Sequence, residues 1–211
     1  MTLWFLARAA GFMALLGATV AVCLGATASG SSPSTRVRRR NLRLLLQLTH
    51  RSAAVVTLAL LALHAVLLIL DAHVNISVPG ALVPFTAGYR GVAVGLGTLA
   101  VYCFAVVAVS GALRGRLAGS STAARWWRPV HALAYAAWPL AMAHGLLAGT
   151  DTHARWAWFL YGGSALAVLV AIWRRLSAEE KHATGPLTAW RDLHRRRSRQ
   201  NTPFVTTGRH S

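Results

Sequence analysis

The sequence predicts an all-α membrane bundle of about five transmembrane helices, and three observations predict it. Of the 211 residues, 55% are hydrophobic and only 13% charged, about half the roughly 25% charge of a soluble domain. Lys and Arg number 22 against 5 Asp and Glu, for a net +17, yet five stretches carry none of the four: residues 9–35, 52–70, 91–113, 129–150 and 156–173. Alternating strand patterns are absent, which disfavours a membrane barrel. A mean hydropathy of +0.46 also excludes the nucleic-acid-binding class that +17 alone would suggest.

About 20 apolar residues cross a hydrocarbon core of ~30 Å. With flanking apolar residues added, the five stretches predict helices near 3–25, 43–70, 89–112, 129–149 and 155–174. The first begins at Leu3 and carries Arg8 in its opening turns. The link after it holds Arg36, Arg38, Arg39, Arg40 and Arg43, and the third link holds Arg114, Arg116, Arg125 and Arg128. The second link, 71–88, has no Lys or Arg, and the fourth is only about 150–154. Basic links stay cytoplasmic, so the N-terminus is predicted outside and the C-terminus inside the cell membrane. Ala26-Thr27-Ala28 resembles a signal-peptidase site, but cleavage there would put the arginine cluster outside, so an uncleaved first span fits better. Residues 176–211 are expected to form a basic, disordered cytoplasmic tail, either solvated or resting on anionic headgroups or an acidic donor through Arg191, Arg195, Arg196, Arg197 and Arg199. Cys23 and Cys103 lie in apolar spans without metal-ligand spacing and are expected to pack as small side chains. Asn75-Ile76-Ser77 matches a glycosylation acceptor pattern that is common by chance.

Four histidines carry the chemistry. Ionisable groups deep in apolar spans are rare and usually functional. His64 and His144 lie within the second and fourth spans, and His50 and His131 lie at the inner ends of the same spans. The separations of 14 and 13 residues correspond to about 21 and 20 Å of helix at ~1.5 Å per residue. Both His64 and His144 precede an aspartate, Asp71 and Asp151, by seven residues. One intervening span makes the two helices parallel, so His50 levels with His131 and His64 with His144. Two bis-imidazole sites, one per leaflet, suit two stacked haems; a structural zinc wants four compact ligands and suits the pairs poorly. At ~100° per residue, 14 residues return to within roughly 40° of the starting face and 13 land roughly 140° away. Pro139 is the expected source of the distortion that brings both fourth-span imidazoles to one side.

These residues resemble the ferric reductase-like transmembrane family, which includes the membrane halves of ferric reductases and NADPH oxidases and the haem-binding membrane subunit of the methionine sulfoxide reductase system. The resemblance covers most of residues 5–175. It is carried by Leu48-Thr49-His50-Arg51, Leu63-His64, Pro84-Phe85 with Tyr89-Arg90, and the run from Trp127-Arg128-Pro129-Val130-His131 through His144-Gly145 to Gly149-Thr150-Asp151. It implies that residues 1–175 form a domain binding two b-type haems, an inner one on His50 and His131 and an outer one on His64 and His144. The family commonly has six spans, against five here. Its flavin and nicotinamide domains have no counterpart in residues 176–211, so the donor is expected to be a separate cytoplasmic flavoprotein or a membrane quinol.

Haem propionates need cationic partners. Arg51, Arg125 and Arg128 lie closest in sequence to the inner ligands; Arg8, Arg90 and Arg155, the only three of the 22 Lys and Arg outside the inner links and the tail, sit at outer helix ends. Outer arginine works against orientation, which points to a specific role for these three, and interfacial snorkelling explains each of them singly about as well. Trp126, Trp127, Trp156 and Trp158 fall where interfacial anchors belong; Tyr135 and Trp138 fit either a cofactor or ordinary packing. The expected function is transmembrane electron transfer by a di-haem cytochrome, an oxidoreductase membrane subunit. A quinol-linked cytochrome and a non-redox transporter or assembly protein using the histidines as relays are the alternatives.

Overall fold

The computed structural model describes residues 2–30, 36–72, 74, 76–117 and 121–200. Among them every regular element is helical: α1 (Thr2–Gly30), α2 (Arg36–Leu70), α3 (Val78–Leu82), α4 (Gly91–Leu117), α5 (Ser121–His131), α6 (Ala134–Ala148) and α7 (Arg155–Gln200). Four of these, α1, α2, α4 and α7, contain segments long and apolar enough to cross a membrane. The all-α membrane bundle is therefore the observed architecture.

The predicted fourth span is not one helix. It is divided between the end of α5 and the 15-residue α6, with a break at Ala132–Leu133. Leu133, Tyr135 and Ala136 donate backbone N–H bonds to Val130, Ala132 and Leu133, three residues back rather than four. That is a local 3₁₀ tightening. α6 runs uninterrupted through Pro139, which is exposed. The distortion expected at Pro139 thus lies six to seven residues upstream of it. The last helix also differs from expectation: α7 continues beyond 174 to Gln200, so residues 176–200 are helical rather than disordered. Residues 201–211, Asn75 of the acceptor pattern and residues 31–35 of the first link lie outside the described residues.

α1 is the central helix, packing against α2, α6 and α7, while α4 packs against α5 and α6. A stripe of small residues explains its place. Ala7, Ala10, Ala14, Ala18 and Ala21 recur every three or four positions and are all at least nine-tenths buried, which lets neighbouring backbones approach closely. Leu15, Ala18 and Val22 of α1 join Trp138 and Met142 of α6 and Ala157, Tyr161 and Val168 of α7 in the core. Trp138 donates its indole N–H to Thr19 Oγ1 at 2.9 Å, so its role is packing between α1 and α6. α2 is the contrast: apolar, yet only 6% of its span is buried. It leans on α1 with one face and leaves a gap towards α6 with another. The 71–90 connection closes one end of that gap, with Val74, Ile76 and Tyr89 lining it.

Candidate functional site

Four glycines position the four histidines. Gly11 and Gly25 lie fourteen residues apart on α1, and Gly97 and Gly111 lie fourteen apart on α4. Each faces one imidazole. A Cβ added at Gly11 would come within 2.9 Å of the His64 ring, at Gly97 within 2.6 Å of His144, and at Gly25 and Gly111 within 3.4 Å of His50 and His131. A missing side chain at these points lets each ring lie against the neighbouring helix backbone.

The backbone then holds the ring. A helical carbonyl has a second lone pair beyond its helix bond, and the one four residues before each glycine is the natural acceptor. His64 Nδ1 lies 2.7 Å from the Ala7 oxygen, His50 Nδ1 2.9 Å from Ala21, and His144 Nδ1 2.7 Å from Ala93. The fourth site is a variant. His131 Nδ1 lies 3.0 Å from Ser110 Oγ, and that hydroxyl donates to the Val107 carbonyl at 2.7 Å. A carbonyl can only accept, and so can a hydroxyl oxygen whose proton is already committed. Each Nδ1 is therefore the donor nitrogen, and in the neutral ring that tautomer leaves Nε2 as the nitrogen able to bind a metal.

The rings meet in two pairs across the gap. His50 and His131 have ring centres 6.2 Å apart with planes at 68°; His64 and His144 are 6.1 Å apart at 80°. A linear N–metal–N unit with bonds of about 2.0 Å, plus about 1.1 Å from each nitrogen to its ring centre, spans roughly 6.2 Å. Both pairs fit a two-coordinate axial arrangement. Among the described residues no three His, Cys, Asp or Glu side chains converge, so a compact four-ligand metal site is not what this donor set forms. Around His64 and His144 lies a largely apolar cleft walled by Gly11, Phe12, Phe104 and Tyr161.

The arginines divide. Arg8 lines the cavity and forms an ion pair with Asp151 at its mouth, joining α1 to the α6–α7 connection. Arg90, in a left-handed backbone conformation (φ 42°), donates to the Leu147 carbonyl at 2.8 Å and lies over the Tyr89 ring. Arg51, Arg128 and Arg155 are exposed. Tyr135 accepts a 2.8 Å hydrogen bond from Arg175. The glycines and Ser110 escaped sequence reasoning, although one signal was present: the 14-residue glycine interval in the first and third spans repeats the His50–His64 interval in the second. Comparison with protein-family models, with curated proteins and with solved structures finds no match. The functional reading therefore rests on the site itself.

Proposed function

We propose that the chain is a b-type di-haem membrane cytochrome of the ferric reductase-like kind, passing electrons one at a time from a cytoplasmic donor to an extracytoplasmic acceptor. One observation carries the reading: two histidine pairs at two levels of one bundle, three rings anchored through Nδ1 to a helix carbonyl and His131 to the Ser110 hydroxyl, and each pair separated by the span of a bis-imidazole metal. When bound, a haem supplies a one-electron iron couple. The chain's part is to fix the imidazole tautomer and orientation, to wall the pairs with apolar side chains, and to hold the two levels about 21 Å apart along α2. The cation-rich ends of α2, α4 and α5 belong on the cytoplasmic side by the positive-inside rule, which makes His50 and His131 the inner pair. A separate flavoprotein reductase or a membrane quinol is the donor class that suits an inner site of this kind.

The test is a dithionite-reduced minus oxidised spectrum of detergent-solubilised protein with haem quantified. Two haems per chain are expected. His50→Ala and His131→Ala should each remove one and the same haem, and His64→Ala and His144→Ala the other. Absence of a Soret band after expression with adequate haem refutes the reading, and losses that group by helix refute the pairing.

A further inference from the structure

Trp127 is more than an interfacial anchor. Its indole stacks on the His131 ring, with centres 5.0 Å apart and planes at 18°. Ser110 clamps both rings: its carbonyl accepts the Trp127 Nε1–H at 3.0 Å, while its hydroxyl takes the His131 Nδ1–H. The Arg114 guanidinium lies over the Trp127 ring, 4.5 Å from its centre. Arg114 is exposed and Trp127 half-buried, so Arg114, Trp127 and His131 form a stack leading in from the protein surface, and His131 meets His50 edge-on with ring centres 6.2 Å apart. None of the other three histidines has an aromatic side chain stacked on it among the described residues. Arg116, Arg125 and Arg128 are also exposed around this corner, and a cluster of like charge raises the local concentration of oppositely charged ligands.

We propose that Trp127 is the relay through which electrons from an anionic one-electron reductant reach the inner site. The inference rests on the haem reading above. In the step, the reductant loses one electron and the ferric inner haem gains it. No covalent bond changes, and Trp127 is neither oxidised nor reduced once the step is complete; its π system couples the donor to His131. Trp127 does not touch the cofactor in this scheme and acts through His131.

The test uses full-length, haem-loaded protein in lipid nanodiscs, with dithionite as the anionic reductant and reduced methyl viologen as the cationic control. Stopped-flow absorbance follows the haem that His131→Ala removes. Trp127→Leu should slow its reduction by dithionite at least about tenfold, whereas Trp127→Phe, which keeps a ring, should stay within about threefold of wild type. The low-spin EPR signal and midpoint potential of the inner haem should be retained in Trp127→Phe. Added salt should slow dithionite and not methyl viologen, and Arg114→Gln should weaken that salt dependence. Wild-type rates in Trp127→Leu overturn the proposal, as does equal slowing in both variants, which marks a packing role. If Trp127→Leu does not retain the inner haem, Trp127→Met is the non-aromatic comparison and is read by the same criteria. Failure of haem binding in the wild-type protein would instead overturn the cytochrome reading.

Discussion

Adding one methyl group at Gly97 tests the site at its tightest point. In Gly97→Ala the new carbon would sit 2.6 Å from Nδ1, 2.9 Å from Cε1 and 3.0 Å from Cγ of His144. No rotation of the ring clears three of its atoms at once. To reach ordinary contact at about 3.4 Å the ring must retreat by about 0.8 Å, which stretches its 2.7 Å bond to the Ala93 carbonyl towards ~3.5 Å, beyond hydrogen-bond range. Loss of such an outer-shell partner typically lowers metal affinity about 10- to 100-fold, roughly 1.4–2.7 kcal/mol. Helix α4 itself gains about 0.8–1.0 kcal/mol from Gly→Ala, so the bundle stays folded. Gly111→Ala is the matched control, because its methyl would meet His131 at 3.4 Å, an ordinary contact. Quantified haem per chain and a haem titration give the answer. If the chain binds two haems as proposed, Gly97→Ala should weaken or lose one and keep the other, and Gly111→Ala should keep two. Two haems at wild-type affinity in Gly97→Ala would refute the claim that this glycine sets the ring position.

Two further outcomes follow from the geometry. If each pair holds a haem iron as proposed, imidazole planes at 68° and 80° would leave the iron orbitals they overlap nearly equivalent, and the oxidised protein should give strongly anisotropic low-spin EPR signals; ordinary rhombic signals from both sites would show that the rings turn on binding. Asp151→Asn releases Arg8, whose side chain and that of Asp151 are each 23% exposed; a double-mutant cycle with Arg8→Gln should give a coupling on the order of 1 kcal/mol in thermal stability, and additivity would show that the pair contributes nothing. If Arg8 also holds an outer propionate, Arg8→Gln lowers outer-haem retention while Asp151→Asn does not.

Helix existence and histidine pairing were legible in sequence because each depends on a one-dimensional quantity. Charge-free length sets where α1, α2, α4 and the membrane part of α7 lie, and residue count along parallel helices sets which histidines share a level. The pairing of His50 with His131 and His64 with His144 follows from those counts and needs no side-chain detail. What stayed hidden depends on azimuth and close approach. Gly11 and Gly97 look like ordinary small residues until the rings lie on them. The Arg8–Asp151 pair joins positions 143 residues apart that no periodicity connects. The continuation of α7 to Gln200 escaped because its polar sequence lacks the apolar stripe that marks an amphipathic helix.

Pro139 is the residue whose expected role the structure relocates, and the helical arithmetic says why. Thirteen residues of regular helix leave His144 roughly 140° away from the His131 face. Each residue turned at about 120° instead of 100° recovers roughly 20°, and the three short-range bonds to Val130, Ala132 and Leu133 supply several such residues before α6 begins. The break therefore converts a 13-residue interval on α5–α6 into one that matches the 14-residue glycine interval on α4. Pro139 lies past the break, exposed on regular helix, where it forfeits the bond to the Tyr135 carbonyl. On the proposed cytochrome reading Pro139→Ala should keep both haems, and it should raise the melting temperature, since interior proline costs a helix up to about 3 kcal/mol. Loss of either haem in that variant would mean that the proline, through its clash with the preceding turn, enforces the break that aligns the two histidines.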